Sequence, residues 1–257
     1  LHDGSRFRIV NKARQLGYSL IIAAEGLMEC LINPNYTVLF VSTGEEAAKR
    51  ILDYVYDIIN GMPDKIRPRM SVQTKTEVRF LNKSKLVSLP NNPKTTRGYR
   101  AHRVYIDEAA HFINDEEIFS SIQPSISRGG AMTLLSTPFG RSNKFFQIWD
   151  EHKLYSRHTT PWTDCPDPEY KKTVAENKKD MDEIEFRQEY LCDFTSDDLA
   201  YFPFSLIKPC IDDTLFNMTS TPSRALCRMG YDPGGRIDSG CITITEETYK
   251  EDKRIAV

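Results

Sequence analysis

Stretches rich in apolar residues alternate with helical patterns over the first part of the chain. Four short runs, at residues 6–10, 37–42, 103–107 and 131–138, have the length and composition of buried strands. Between them, apolar residues recur with helical spacing and predict helices that pack on a sheet. Because buried strands that alternate with helices form parallel sheets with crossover connections, the pattern predicts an α/β domain.

Two of the predicted helices have a marked apolar face. After the first strand, that face is predicted to consist of Leu20, Ala24, Leu27, Met28 and Leu31. After the second strand, it consists of Ala47, Ala48, Ile51, Leu52, Val55, Ile58 and Ile59. Two β-prone pieces, 76–81 and 85–89, are separated by a polar turn and predict a hairpin insertion.

Composition narrows the class of protein. The 257 residues are 40% hydrophobic and 27% charged, as in soluble globular proteins, and no apolar run approaches the ~20 residues that span a bilayer. A net charge of −2 excludes a surface that is basic throughout, so nucleic-acid contact would need a local basic patch. The six cysteines form no C-x-x-C pair, which argues against a zinc site or a disulfide framework and favours a reducing cytoplasm.

The predicted strand at 103–107 ends in two adjacent carboxylates, Asp107 and Glu108. Open α/β sheets bind ligands at the carboxyl ends of their strands. In nucleotide hydrolases one acid at this position serves Mg²⁺ and the next orients or deprotonates the attacking water. The alternative is a solvated Asp-Glu pair that opens a surface loop.

The first strand leads into a polar loop, Lys12-Ala13-Arg14-Gln15-Leu16-Gly17-Tyr18-Ser19, and then into a helix. This layout is typical of a P-loop, in which backbone N–H groups hold phosphates and the hydroxyl reaches Mg²⁺. The match to G-x-x-x-x-G-K-[ST] is imperfect, since Lys12 replaces the first Gly and Tyr18 replaces the Lys. Lys12 and Arg14 could restore the missing cation, and a plain loop is the alternative.

The pattern changes after residue 162. Residues 167–194 are charged and helical, and 195–223 contain three prolines and are predicted to be a linker. New strands at 225–230, 240–245 and 253–257 predict the start of a second domain. The predicted organisation is therefore a domain at 1–194, a linker at 195–223 and the first part of another domain at 224–257.

Taken in order, these elements resemble the large terminase subunit of tailed double-stranded DNA viruses, the motor that packages the genome into a procapsid. The resemblance covers roughly residues 5–245 and rests most on the loop at 12–19 and on Asp107-Glu108-Ala109-Ala110. Its other pieces are Arg97-Gly98, Ser136-Thr137-Pro138-Phe139-Gly140, Phe186-Arg187-Gln188-Glu189-Tyr190 and Gly230-Tyr231-Asp232-Pro233-Gly234. The resemblance implies a P-loop NTPase (RecA/ASCE-like) domain followed by the start of an RNase H-like nuclease domain.

The resemblance also implies roles for individual residues in ATP hydrolysis. Residues 12–19 would bind the nucleotide, with Lys12 and Gly17 on the phosphates and Ser19 on Mg²⁺. Asp107 would support the Mg²⁺, Glu108 would position water, and Arg14 would act as an arginine finger in cis. Thr137 would sit in the element that senses γ-phosphate. Arg14 could instead be a surface ion-pair residue, and Thr137 a turn residue at a strand end.

For the second domain, Asp232 resembles the first metal carboxylate of a nuclease that uses Mg²⁺ or Mn²⁺, and Asp238 is a further candidate. Asp232-Pro233-Gly234 is also ordinary turn chemistry. The later acidic residues of such a nuclease are absent from the sequence, so we expect an incomplete site without nuclease activity. The adenine-binding segment expected before the P-loop is also missing or truncated.

Partners follow from the resemblance alone. They are double-stranded DNA, a portal protein, a small terminase subunit and other copies in a ring on the portal, in the cytoplasm of the infected host cell and without a membrane. Arg97 is expected to contact a neighbouring subunit, nucleotide or DNA, or to cap its loop. The competing hypotheses are a non-packaging P-loop ATPase such as a helicase, and a nucleotide-binding scaffold with a decayed site.

Overall fold

The computed structural model describes residues 4–195 in full and, after them, only the backbone of the strands at 227–232, 241–250 and 253–256. The chain divides into two compact units, Leu1–Leu206 and Ile207–Val257, and each has a sheet of its own. None of the described helices combines the length and apolar character needed to cross a membrane.

The first unit is built on an eight-stranded sheet with the strand order β3-β4-β5-β2-β6-β7-β1-β8. Its strands are β1 Phe7–Lys12, β2 Thr37–Ser42, β3 Met70–Gln73, β4 Glu77–Phe80, β5 Lys85–Pro90, β6 Arg103–Asp107, β7 Ala131–Ser136 and β8 Ser156–Thr160. The six strands from β5 to β8 in this order pair in parallel, whereas β3 and β4 pair antiparallel at one edge. The prediction of a mostly parallel sheet is confirmed.

Helices cover both faces of the sheet. The described helices are α1 Tyr18–Ile32, α2 Glu45–Gly61, α3 Pro93–Thr96, α4 Asp115–Ile122, α5 Lys144–Glu151, α6 Pro168–Asn177 and α7 Glu183–Leu191. Helices α1 and α2 pack on one face with β2, β5 and β6, and α4 and α5 pack on the other. The predicted face of α2 is confirmed, since Ile51, Leu52, Val55 and Ile59 are all buried.

The predicted face of α1 is wrong except at Leu27. The helix buries Ile22, Ala23, Leu27 and Cys30, and Leu20 and Met28 are 44% and 45% exposed. Helix α1 is apolar on nearly all sides, so spacing alone allows more than one buried stripe. Two arginines of the sheet decide between them, because Arg8 pairs with Glu25 and Arg103 pairs with Glu29, both at 2.8 Å. These ion pairs turn two acidic side chains of the helix inward.

Two strand predictions also need correction. Strand β1 continues to Lys12, two residues beyond the predicted end, which places Lys12 at the edge of the sheet. Strand β8 was not predicted because Ser156-Arg157-His158-Thr159-Thr160 contains no aliphatic residue; it lies at the edge of the sheet and pairs with β1. The predicted hairpin is confirmed as β4 and β5, and β5 also pairs in parallel with β2.

The second unit contains an antiparallel sheet with the order β11-β10-β9 in its described part. Its strands are β9 Cys227–Asp232, β10 Cys241–Lys250 and β11 Lys253–Ala256. Strand β10 is longer than the predicted strand at 240–245. The assignment of this unit to an RNase H-like nuclease and the linker at 195–223 stay predictions.

Candidate functional site

Three adjacent strands bring the predicted site residues to one edge of the sheet. The order β6-β7-β1 places Asp107, Thr137 and Lys12 at neighbouring carboxyl ends. The Lys12 ammonium lies 2.7 Å from Glu108 Oε1, and the Ser19 hydroxyl donates to Asp107 Oδ2 at 2.6 Å. Lys12 and Glu108, which are 96 positions apart in sequence, are thus in direct contact within one linked polar cluster.

The loop between β1 and α1 has the backbone of an anion site. Gln15 and Gly17 have positive φ angles of 60° and 75°, which turn the chain sharply before the helix begins at Tyr18. The first backbone hydrogen bond of the helix runs from Ile21 N–H to Gly17 O, at 3.1 Å. The N–H groups that precede Ile21 have no acceptor within the helix. They lie at the positive end of the helix dipole, which favours the binding of a phosphate.

Lys12 is the cation inside this site. Its side chain is only 5% exposed and points to Glu108. Tyr18, which stands where a standard P-loop has its lysine, shares a hydrogen bond of 2.6 Å between its hydroxyl and Thr160 Oγ1 on β8. Tyr18 therefore fastens the start of α1 to the edge strand, and Lys12 provides the positive charge.

Glu108 is held from two sides. Its backbone is left-handed, with φ 53° and ψ 44°. Its Oε2 accepts hydrogen bonds from Thr137 N–H at 3.3 Å and from the Ser136 hydroxyl at 3.4 Å. Burial opposes ionisation of Glu108, but the neighbouring Lys12 ammonium outweighs it and holds the pKa of the carboxyl below its usual value. Glu108 is thus kept as a carboxylate that can accept a proton or orient water.

The environment of Asp107 suits a metal ligand. Burial, and then the charge of Glu108, raise the pKa of its carboxyl above the usual value. Its Oδ1 is buried and has no hydrogen-bond partner. A divalent cation would satisfy this oxygen and remove the cost of burying the charge.

The donor set fits Mg²⁺. Ser19 and Asp107 offer hard oxygen ligands beside the helix N-terminus, and Mg²⁺ commonly binds one or two protein oxygens together with phosphates and water. Among the described residues, no group of three or more His, Cys, Asp or Glu side chains could hold a metal without such help. A cation at Asp107 would therefore depend on a bound nucleotide for the rest of its ligands.

Arg14 lies in the loop but is not directed at Glu108. Its side chain is 58% exposed, and its guanidinium lies 3.5 Å from the Glu189 carboxylate. Its backbone is fixed by a hydrogen bond from Arg14 N–H to Glu189 O at 2.8 Å and by one from the Tyr170 hydroxyl to Arg14 O at 2.6 Å. Helices α6 and α7 therefore brace the loop, a role that the sequence pattern did not reveal.

His111 is a site residue that the sequence analysis missed. Its Nε2 lies 2.9 Å from Thr137 Oγ1, and its ring packs against Phe139 with centroids 4.9 Å apart. A turn of 3₁₀ helix at Ala109–His111 follows Glu108 and places His111 on the same side of the sheet edge. His111 follows Glu108 by three residues, and this short spacing is the sequence signal that could have identified it as a site residue.

The predicted nuclease residues belong to the second unit of the chain. Asp232 is the last residue of β9, where its backbone pairs with Cys241. Asp238 lies outside the described residues.

Comparison with known proteins decides the family. A sequence model of the family described as "Terminase large subunit, T4likevirus-type, N-terminal" matches residues 9–209. The chain belongs to this family. The match contains the whole cluster from Lys12 to Thr137 and the bracing helix α7, and it confirms the resemblance to terminases predicted from the sequence.

A curated relative of low sequence identity is also a terminase. The "Terminase, ATPase subunit" of Escherichia phage P2 is 21% identical over 281 residues, which cover 93% of this chain and 46% of that protein. The chain thus spans about half the length of this curated relative.

Two solved terminase structures show the same fold. The large terminase ATPase domain of Thermus phage P74-26 superposes with a TM-score of 0.62 at 21% identity, over 76% of this chain and 90% of that one. The large terminase of another thermophilic bacteriophage, in complex with ADP, gives 0.61 at 10% identity, over 99% and 63%. The predicted terminase-type P-loop NTPase fold is confirmed for the sheet and its flanking helices.

Proposed function

We propose that this terminase chain contains the ATP-hydrolysing motor that translocates viral double-stranded DNA into procapsids. The observation that carries the proposal is the linked cluster at the end of β1 and β6. There a buried lysine contacts the glutamate that follows the strand, and a serine of the first helical turn contacts the aspartate that ends it. The ADP in the second of the two terminase structures and the ATPase name of the phage P2 relative support a nucleotide as ligand.

In the proposed reaction, the loop at 12–19 holds the phosphates. The N–H groups that precede Ile21 and the Gly17 turn face the anion, and the Lys12 ammonium neutralises its charge. Bound Mg²⁺ supplies Lewis-acid neutralisation of phosphate charge. Ser19 and Asp107 are the residues that would hold it.

Glu108 is the proposed general base or water-positioning group. The hydrogen bonds from Thr137 N–H and from the Ser136 hydroxyl fix one carboxylate oxygen, and the other faces Lys12. When phosphates attract Lys12, Glu108 becomes available to orient water for in-line attack. Thr137 touches both Glu108 and His111, so it can sense the γ-phosphate and pass movement to the segment after β7.

Arg14 is the proposed arginine finger. In the structure its guanidinium pairs with Glu189 and is largely exposed, so it needs a change of rotamer to reach a nucleotide. Its exposed flexible stem permits that change, and the firm anchoring of its backbone keeps it at the loop.

The wider assignment follows the family. We propose DNA as the translocated substrate, with a portal protein, a small terminase subunit and a ring of copies as partners in the infected cell. We also propose residues 1–194 as the ATPase domain, 195–223 as a linker, and 224–257 as the start of a nuclease domain whose Asp232 and Asp238 bind Mg²⁺ or Mn²⁺.

Steady-state ATP turnover by the purified chain, with and without Mg²⁺ and with and without duplex DNA, tests the proposal. Turnover that requires Mg²⁺ and falls strongly in Ser19→Ala, but is retained in Ser71→Ala on the exposed edge strand β3, is the expected result. A chain that binds nucleotide without Mg²⁺-dependent turnover under either DNA condition would be a scaffold with a decayed site, and the motor proposal would be wrong.

A further inference from the structure

A pocket lined by basic residues lies at the amino ends of the parallel strands, opposite the carboxyl ends that carry the P-loop. The pocket, of about 530 Å³, lies at the amino ends of β2, β5 and β6, and its lining includes Thr37, Lys85, Tyr99, Arg100 and His102. The five residues of β6, from Arg103 to Asp107, span ~17 Å. This length separates the pocket, at the amino end of the strand, from the polar cluster at its carboxyl end. This pocket is therefore not an extension of the P-loop.

The pocket is lined by basic residues without a compensating acid. Lys85, Arg100 and His102 line it, and none of its described lining residues is an aspartate or a glutamate. Glu29 lies near the same end of the sheet, but it is buried and forms two close hydrogen bonds with Arg103. In a chain with net charge −2, a pocket of this sign is a local departure from the average surface.

His102 is arranged as a neutral hydrogen-bond donor. Its Nδ1 accepts a hydrogen bond from Thr37 N–H at 3.0 Å, and its ring stacks on Tyr36 with centroids 4.6 Å apart. Since Nδ1 is occupied as an acceptor, the ring proton resides on Nε2. Burial, followed by the charge of Arg100, lowers the pKa of His102 and favours this neutral form. The ring therefore presents an N–H without needing to be charged.

The cations extend along the surface as a strip. The Lys85 ammonium lies over the Tyr99 ring, 5.7 Å from its centroid, so the aromatic face helps to position the charge. Lys85 also lines a neighbouring pocket of about 380 Å³ together with Lys83. Lys83 and Arg100 are both exposed. We call Lys83, Lys85, Arg100 and His102 the basic strip.

We propose that the basic strip binds phosphate groups and that a nucleic-acid backbone supplies them. Adjacent pockets that share Lys85 match a ligand whose anionic groups repeat along a chain, as phosphodiesters do. An arginine, two lysines and a neutral N–H donor are also the groups that hold phosphate oxygens without reading bases. The strip thus gives this chain a nucleic-acid contact on the side of the sheet away from ATP, independent of the hydrolytic cluster.

Fluorescence anisotropy of a short labelled DNA duplex, titrated with the full chain, tests this proposal. Lys85→Gln/Arg100→Gln keeps polar side chains at both positions and removes two charges. For each phosphate contact that is lost, the magnitude of the slope of log K against log salt should fall by about one. Binding should weaken about eightfold at ~0.1 M salt, and the effect should be the same for unrelated duplex sequences. Arg100→Gln alone, which changes only an exposed side chain, should show half of the change in slope.

The matched control is Lys172→Gln. Lys172 is an exposed cation on α6, the helix whose Tyr170 contacts the P-loop at the other edge of the sheet. Its removal should leave duplex binding unchanged, because the proposed affinity depends on the position of the basic strip and not on the net charge of the chain. Turnover of ATP without DNA should also be unchanged in all these variants. The binding assay needs no turnover, so failure of the ATPase proposal would not affect its result.

A second arm identifies the source of the phosphate. Protection of Lys85 from amine acetylation is measured with inorganic phosphate and with duplex, both at constant ionic strength. Protection by duplex, with the loss of affinity above, supports the proposal. Protection by inorganic phosphate with unchanged duplex affinity in the double variant would overturn the nucleic-acid assignment and indicate free phosphate or nucleotide as ligand. Equal loss in Lys172→Gln, or no protection by either ligand, would overturn the site itself.

Discussion

Replacement of Glu108 by glutamine is the sharpest test of the hydrolytic cluster. Glutamine has nearly the same shape, and its amide oxygen can still accept the hydrogen bond from Thr137 N–H. It cannot take a proton or hold a full negative charge against the phosphate site. We therefore expect Glu108→Gln to bind ATP as the parent does and to lose most of its turnover.

The size of the loss follows from the role. A positioned general base contributes ~10²–10⁴-fold, which corresponds to about 2.7–5.4 kcal/mol of activation free energy. The effect on stability should be much smaller, because the glutamine amide oxygen can still accept a hydrogen bond from the buried Lys12 ammonium and solvent reaches the Glu108 side chain, which is 34% exposed. We expect a change of about 1 kcal/mol or less in the free energy of unfolding.

Three measurements on the same preparation separate these effects: single-turnover hydrolysis, equilibrium binding of a nucleotide analogue, and urea unfolding. Glu176→Gln, an exposed glutamate on α6, is the matched control and should behave as the parent. Turnover within a few-fold of the parent, with unaltered binding and folding, would remove Glu108 from the mechanism and refute the reasoning from its hydrogen bonds.

Three further predictions concern other parts of the chain. Lys12→Ala should weaken nucleotide binding in a titration, whereas Arg14→Ala should mainly lower kcat; the reverse pattern would exchange their proposed roles. Gly26→Ala should destabilise the fold by about 1–2 kcal/mol in urea unfolding, since the new Cβ would lie 2.7 Å from Phe40 Cζ in the core, and Phe40→Leu should relieve the loss. A more stable Gly26→Ala protein would show that helix propensity outweighs this contact. Burial raises the pKa of the Cys30 thiol to about 12, so mass spectrometry should find it unalkylated in the folded protein at pH 8 and alkylated after unfolding; rapid reaction in the folded state would contradict its burial.

Local sequence was sufficient for the parallel core of the sheet and for the place of the site. Strands β2, β6 and β7 are buried on both faces, so their near-continuous apolar runs are visible without knowledge of their neighbours. Polar residues that follow such strands must lie at one edge when the strands are parallel. That rule places Asp107 and Thr137 at one edge of the sheet, whereas the strand order β6-β7-β1 and the extension of β1 to Lys12 make the three residues neighbours.

The rotation of α1, the edge strand β8 and the support of the P-loop were decided by tertiary contacts. The inward turn of Glu25 and Glu29 depends on arginines that other strands contribute, so the spacing of apolar residues within the helix cannot reveal it. The strand character of β8 comes from its pairing with β1, and the position of Arg14 comes from a glutamate 175 residues away. Hydrophobic periodicity records which side of a segment avoids water, whereas the partners of buried charges and edge strands exist only once distant parts of the chain have met.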